Sequence, residues 1–331
     1  MSRQIGRLSG VLGGVAALLI VIVLASSSCT QAQKAPPKPA AAAATAPPEA
    51  YVGAETCKGC HEEQYVKFSK TKMGQLFLKH PRSTRESLAC EGCHGPGKAH
   101  ADAGGGKGVG GMISFRKNDP TPIEQRNAQC LQCHERSARL FWQGSAHEAR
   151  DVACTNCHTV MEDVSPRFQL ARATQIETCG QCHIQKRAQQ MRFTHMPLLP
   201  GRYGDGSDGK MTCTSCHNPH GTVTQALLKE NSANETCYTC HAEKRSPFLW
   251  EHPPVTESCT NCHDPHGSNH ENMLKLAKPR LCQQCHVETR HPTNPYGTDL
   301  PSLKFVVARQ CANCHASIHG SNHPAGRFFA R

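Results

Sequence analysis

Ten copies of the pattern Cys-x-x-Cys-His constrain this chain more than any other feature, because together they use 20 of its 21 cysteines. Two thiols at this spacing can form thioether bonds to the two vinyl groups of one porphyrin, and the following His places an imidazole under the iron. A zinc site would pair two Cys-x-x-Cys knuckles around one metal and would not need a His after each. A disulfide scaffold or a thioredoxin-like motif explains neither the spacing nor the repeated His. The pattern therefore predicts ten covalent haem c groups.

We number these copies motif 1 to motif 10 in chain order. The predicted thioether cysteines are Cys57, Cys60, Cys90, Cys93, Cys130, Cys133, Cys154, Cys157, Cys179, Cys182, Cys213, Cys216, Cys237, Cys240, Cys259, Cys262, Cys282, Cys285, Cys311 and Cys314. The predicted proximal iron ligands are His61, His94, His134, His158, His183, His217, His241, His263, His286 and His315.

The composition is poor material for a conventional protein interior. Aromatic residues make up only 5% of the chain and hydrophobic residues 37%, so the porphyrins must supply much of the buried apolar surface. The intervals between motifs are too short for a separate haem-free domain. We expect a multihaem cytochrome c fold with short helices, long loops and little regular secondary structure.

An internal repeat supports this interpretation. The stretch CLQCHERSARLFWQGSAHEARDVACTNCH from Cys130 resembles CYTCHAEKRSPFLWEHPPVTESCTNCH from Cys237, and ETCGQCHIQKR from Glu177 opens a third copy. Consecutive motifs therefore form pairs, and the pairs predict an elongated string of two-haem units in which each unit contacts its neighbours.

The N-terminus predicts export. Arg3 and Arg7 precede an apolar stretch over residues 11 to 25, which is short for a membrane-spanning helix, and three serines lead to Cys29. Cys29 lies outside the motifs, where a bacterial lipoprotein carries its lipid, and is a candidate for lipidation. Cleavage without a lipid and an uncleaved anchor are the alternatives. We expect a signal peptide over residues 1–28, a Pro/Ala-rich tether over 29–52 and a haem domain over 53–331.

The formal net charge of +11 omits the cofactors. Two propionates on each haem would offset much of this charge, and no basic run is interleaved with aromatic residues. Nucleic acid is therefore not an expected partner.

Eleven histidines lie outside the motifs, enough to give every iron a second imidazole. One lies between the two motifs of every pair, and four of the five pairs have another soon after the second motif. The second pair is the exception, and His323 makes up the shortfall, which leaves His270 as the surplus residue. The candidate distal ligands are His80, His100, His147, His195, His220, His252, His266, His291, His319 and His323.

Methionine is the alternative distal ligand. With enough histidines available, we expect the methionines among the motifs to be packing residues. They are Met73, Met112, Met191, Met196, Met211 and Met273.

Two histidines on every iron would leave no open position for a substrate. No Ser-His-Asp triad or paired carboxylates are recognisable, and the glycine run around Lys107 lacks the ending of a phosphate loop. The sequence predicts an electron-transfer protein that is not an enzyme. A soluble periplasmic electron carrier or store and a multihaem reductase with an open haem are the alternatives.

The chain resembles the decahaem cytochromes of the MtrA/DmsE/PioA type over about residues 53 to 331. The most specific stretches are CYTCHAEKRSPFLWEHPPVTESCTNCHDPHGSNHENMLK, LCQQCH and IHGSNHPAGRFFAR. The resemblance implies a cytochrome on the periplasmic side of the outer membrane, partly inserted in a β-barrel porin. It also implies electron transfer between periplasmic or inner-membrane cytochrome donors and an extracellular multihaem cytochrome or reductase, in extracellular respiration or in metal reduction or oxidation.

Overall fold

A computed structural model describes residues 46–190, 192–196, 211–286, 311–324 and 326–329. The predicted signal peptide, Cys29 and the tether up to residue 45 lie outside the described residues, as do Met191 and His291. The compact unit that contains the motifs is Ala46–Arg331.

The helices of this unit are short, as the sequence predicted. Many of them include or adjoin a motif, whose cysteines and histidine take up one turn. The α-helices are α1 Ala54–Cys60, α2 Glu62–Lys70, α3 Lys72–Lys79, α4 Thr84–Ser87, α5 Glu91–His94, α6 Lys98–Asp102, α7 Ile123–Leu131, α8 Cys154–Cys157, α9 Gln175–Cys179, α10 Ile184–Gln189, α11 Cys213–Cys216, α12 Ala233–Tyr238, α13 Pro253–Glu257 and α14 Arg280–Gln283.

Single turns of 3₁₀ type separate these helices. They are Pro48–Ala50, Val109–Gly111, Ser137–Arg139, Glu148–Arg150, Gln225–Leu227, Ala242–Lys244, Cys259–Asn261, Glu271–Met273, Cys311–Asn313 and Gly326–Phe328.

Within the described residues β-structure is limited to isolated antiparallel bridges. Three of them close a small hairpin behind an even-numbered motif, pairing His158 with Leu170, His217 with Leu228 and His263 with Leu274. Two more join distant segments, Phe193 to Ser268 and Trp250 to Ser321. The predicted fold class, with short helices and long irregular connections, is confirmed.

Few apolar side chains are buried by the polypeptide alone. Those in the described part of the chain are Phe68, Phe77, Ala89, Trp142, Ala153, Leu170 and Leu274. A unit of this size needs much more buried apolar surface, and the porphyrins predicted from the sequence would supply it.

The start of the unit is fixed by a buried carboxylate. Glu91 is 2% exposed and accepts backbone N–H bonds from Val52 at 3.0 Å, Gly53 at 2.8 Å and Gly97 at 2.7 Å. Three N–H donors compensate the buried charge and attach the entering chain to motif 2.

None of the helices in the described ranges is long and apolar enough to cross a membrane.

Candidate haem-binding sites

All ten motifs have the same local geometry. In each, the backbone N–H of the His donates to the carbonyl of the first Cys, with N···O distances of 2.9 to 3.1 Å. This bond closes one helical turn, and residues three and four apart lie on one face of such a turn. The two thiols and the imidazole of a motif are therefore presented together, as attachment to one porphyrin requires.

Neighbouring motifs lie beside one another in chain order. Within a pair, a hydrogen bond with Cys90 raises the pKa of the Cys57 thiol, and one with Cys154 raises that of Cys130. Burial and then the charge of Cys259 raise the pKa of Cys237 to about 12, and burial and then Cys311 raise that of Cys282 to about 11.

Contacts between successive pairs continue this order. Burial raises the pKa of the second Cys of an even-numbered motif, and a Cys of the next motif raises it further. These couples are Cys93 with Cys130, Cys157 with Cys182, Cys216 with Cys240 and Cys262 with Cys285. Motifs 5 and 6 are joined through Gln175, whose Oε1 accepts from Thr214 N at 3.2 Å and from Thr214 Oγ1 at 2.8 Å.

The proximal His of each even-numbered motif is oriented by a backbone carbonyl. Its Nδ1–H donates to a carbonyl farther along the chain, so Nε2 is the ring nitrogen that would bind a metal. The bonds run from His94 to Ile113 (2.8 Å), His158 to Phe168 (2.9 Å), His217 to Ala226 (2.8 Å), His263 to Asn272 (2.7 Å) and His315 to Phe328 (2.6 Å).

Left-handed backbone in the hairpins aims three of these carbonyls. Phe168 and Gln169 have φ of 59° and 49°, and Ala226 with Leu227 and Asn272 with Met273 repeat the conformation. Two successive left-handed residues without glycine cost free energy, on the order of 1–2 kcal/mol each. Such strain concentrates where a site needs a fixed group. These carbonyls could not be predicted from the sequence, because the side chains of the residues that carry them have no shared pattern.

Seven proximal imidazoles face a second imidazole from elsewhere in the chain. Ring centroids are 5.9 to 6.4 Å apart, with interplanar angles of 11° to 23° in five pairs, 45° in the sixth and 66° in the seventh. The pairs are His61–His100, His183–His147, His158–His220, His241–His195, His217–His266, His286–His252 and His263–His319.

This spacing fits a metal between the rings. Direct ring stacking would bring the planes much closer, whereas two metal–nitrogen bonds of about 2 Å each, with half a ring on either side, span about 6 Å. Each pair also has the two motif thiols beside it. The residues therefore fit a haem iron with two axial imidazoles, and the porphyrin would bring the redox-active iron to that position.

Three backbone contacts, which we call ligand crossings, hold candidate distal histidines of neighbouring motifs together. In each crossing, one distal His donates Nδ1–H to the carbonyl of the residue directly before another distal His. The first links His147 to Pro219 (2.7 Å) beside His220, the second His195 to Pro265 (3.2 Å) beside His266, and the third His252 to Ile318 (3.1 Å) beside His319. The first crossing thus joins the partners of motifs 4 and 5, the second those of 6 and 7, and the third those of 8 and 9.

Burial favours the neutral, metal-binding form of several of the imidazoles in these sites. It lowers the pKa of His220 to about 4, with smaller contributions from the nearby His158 and Arg139. Burial is also the main cause of the lowered pKa values of His94, His134, His183, His252, His266 and His319.

The other candidate ligands are placed differently. No described imidazole stacks on His94, whose ring meets Phe115 edge-on at 5.3 Å, or on His134. His80 is exposed at the end of α3 and faces no described ring. His270 bonds to Ser268, and His323 donates its backbone N–H to Ser321 Oγ at 3.1 Å.

Among the described residues, no group of three or more His, Cys, Asp or Glu could hold a metal ion by itself, and the cysteines form no disulfide. At seven motifs the structure brings together two imidazoles and two thiols, a set of groups that suits a porphyrin.

Comparisons with known proteins agree with this geometry. A family described as "Doubled CXXCH motif" matches residues 207–246 and 252–291, and "Cytochrome c-type protein NrfB-like" matches residues 90–182. The chain is 41% identical over 285 residues to the multiheme cytochrome MtrA of Shewanella baltica, a match that covers 84% of this chain and 81% of that protein. The chain therefore belongs to the MtrA family of multihaem cytochromes, which bind haem c covalently and transfer electrons.

Proposed function

We propose that this chain carries ten haem c groups in a single series and conducts electrons across the outer membrane. The observation that supports this most is the order of the motifs, since cysteines of successive motifs adjoin along the chain. Irons held in such a row can exchange electrons with their neighbours in sequence. The likeness to MtrA supports the same role.

The axial ligation belongs to this proposal. Seven imidazole pairs at iron-spanning distance support two-His ligation at motifs 1 and 4 to 9. A six-coordinate iron has no position for a substrate, which favours conduction over reductase chemistry. Motif 10 would take its second ligand from His323 or His291.

The membrane arrangement is also proposed. Residues 1–28 would be a signal peptide, Cys29 would carry a lipid, and the tether to residue 52 would hold the haem domain 53–331 at the periplasmic face. The domain would enter a β-barrel porin. On the periplasmic side it would exchange electrons with periplasmic or inner-membrane cytochromes. On the outer side it would exchange them with an extracellular multihaem cytochrome or reductase. A lipid near the barrel would raise the effective concentration of the cytochrome there.

The test uses outer membranes of the native host. The gently solubilised complex is reconstituted into liposomes that enclose a redox dye, and a reductant that cannot cross lipid is added outside. Conduction predicts that the dye bleaches and that membranes from a strain lacking this chain leave it coloured. An unbleached dye, with the chain recovered as a soluble protein, would replace this proposal by a periplasmic carrier.

Two further measurements test the finer parts. The intact mass of the mature chain should exceed that of the polypeptide by ten haem masses, plus a lipid if Cys29 is acylated. The oxidised protein should lack the high-spin ferric signal that an open, substrate-binding haem would give.

A further inference from the structure

The three ligand crossings follow one rule in the sequence. In each crossing, the donor His lies 11 to 13 residues after the proximal His of an odd-numbered motif. The acceptor carbonyl directly precedes a second His, which lies three or four residues after the proximal His of an even-numbered motif. These crossings supply ligands to motifs 4 to 9. A fourth crossing, one pair earlier, would supply motifs 2 and 3, whose proximal His94 and His134 form no ring pair with another described imidazole.

The structure contains a contact at this fourth position. Thr71 Oγ1 lies 3.1 Å from the carbonyl oxygen of Val160 and 2.9 Å from that of Phe68, and its single hydroxyl hydrogen is shared between these two acceptors. Val160 lies two residues after His158, as Pro219 and Pro265 lie two residues after His217 and His263. The acceptor carbonyl of the other crossings is therefore present here, with a hydroxyl group bonded to it in place of an imidazole.

The surrounding structure matches as well. The hairpin closed by the His158–Leu170 bridge corresponds to the hairpin closed by the His217–Leu228 bridge behind the first crossing. Phe68 and Trp142 are both 7% exposed. Phe68 lies five residues before Met73, as Trp142 lies five residues before His147. Thr71 is only 1% exposed, so this contact is packed from all sides.

Both positions that carry the distal His elsewhere are methionine here. Met73 lies 12 residues after His61, as His195 lies 12 residues after His183. Met161 lies three residues after His158, as His220 lies three after His217. A methionine thioether is an axial ligand of haem iron in cytochromes c.

We propose that Met161 and Met73 are the distal iron ligands at motifs 2 and 3, opposite His94 and His134. Met73 is half-buried and Met161 is 38% exposed, which leaves thioether surface for a neighbouring porphyrin to cover. His80, the candidate from the sequence, is exposed and lies 19 residues after His61, outside the spacing of the crossings. The expectation that Met73 is a packing residue is replaced by this role.

Two adjacent His/Met centres would change how the series holds electrons. Methionine raises the reduction potential of a haem relative to histidine. The irons of motifs 2 and 3 would therefore be reduced first, near the N-terminal end of the row. This inference rests on the paired ligands proposed above and is independent of the membrane location.

The test is spectroscopy of the purified, oxidised holoprotein. A thioether on ferric haem gives a far-red charge-transfer band, which two imidazoles do not give. The wild type should show this band with the intensity of two irons. Met73→His and Met161→His should each remove half of it, lower the potential of one haem and keep the protein low-spin.

Matched variants separate the possible ligands. Met73→Ala and Met161→Ala should each open one iron to carbon monoxide, whereas Met112→Leu and His80→Ala should change neither the band nor carbon monoxide binding. A wild type without the band, or an iron opened by His80→Ala and not by Met73→Ala, overturns the inference. The dye experiment would be unaffected by that result, so a failure of conduction and a failure of His/Met ligation are distinguishable.

Discussion

His266 and His270 are four residues apart, yet their surroundings predict opposite consequences for removing them. The His266 ring faces His217 at 5.9 Å, whereas His270 bonds only to Ser268 among the described residues. His266→Ala should leave the haem of motif 6 covalently attached but open one iron per chain. His270→Ala should open none.

Electron paramagnetic resonance of the oxidised variants checks this prediction. His266→Ala should give a high-spin ferric signal of about one iron in ten, and added imidazole should return it to low spin. A low-spin His266→Ala variant without added imidazole would remove His266 from the ligand set.

The sequence was sufficient to name candidate ligand residues, and it could not predict which of them face each other. Motif spacing alone named His147 and His220 as distal candidates. It could not show that His147 faces His183 in the following pair while His220 faces His158 in the preceding one, because both choices depend on how the modules pack. His80 shows the converse, since counting histidines selected a residue that the fold leaves exposed.

At the scale of elements, one Asn side chain joins the two motifs of a pair. Asn127 lies in α7 before motif 3 and is 6% exposed. Its Nδ2 donates to the Val152 carbonyl at 3.0 Å, and its Oδ1 accepts from the Cys154 N–H at 2.9 Å. Asn234 repeats both bonds, to Val255 and Cys259, before motif 7. The shared connection explains how short helices hold two porphyrins in a fixed relation without a sheet.

Asn127→Ala should therefore destabilise the second pair. It leaves the Cys154 N–H and the Val152 carbonyl, both partly buried, without their partner, at a cost of up to about 1–3 kcal/mol each. The thermal unfolding midpoint of the holoprotein should fall, while the haem content stays the same. Gln132→Ala removes an exposed amide close by and should leave the midpoint unchanged, and an equal fall in both variants would contradict the role given to Asn127.

Glu91 is the corresponding element at the start of the compact unit. Glu91→Gln replaces a carboxylate that accepts three N–H bonds by an amide whose NH₂ group faces some of the same donors. Charge-assisted bonds contribute about 1.5–3 kcal/mol each, so the entering segment at Val52 and Gly53 should loosen. Hydrogen exchange at Val52 and Gly53 should accelerate, and Glu62→Gln in the exposed first turn of α2 should not alter it.

At the scale of the whole molecule, neighbouring pairs of motifs depend on each other, because each supplies candidate distal ligands to the next. Each crossing binds the distal ligands of two motifs that belong to different pairs, and the motif cysteines adjoin in the same order. Under the proposed ligation, residues far apart in sequence must meet before these irons acquire both axial ligands. This explains why the repeat could be recognised from the sequence while the connectivity between repeats could not.

A single series of haems has a consequence that a carrier lacks. Cys179→Ala combined with Cys182→Ala should remove the haem of motif 5, in the middle of the row, and His183→Ala should keep that haem but change its ligation. If electrons pass through every motif in turn, the double variant should bleach the enclosed dye no faster than liposomes without the chain. Its total electron capacity should fall by only one electron. Mass and low-spin spectra verify that nine haems remain, and bleaching that declines only in proportion to the lost haem would contradict a series and favour a store with parallel routes.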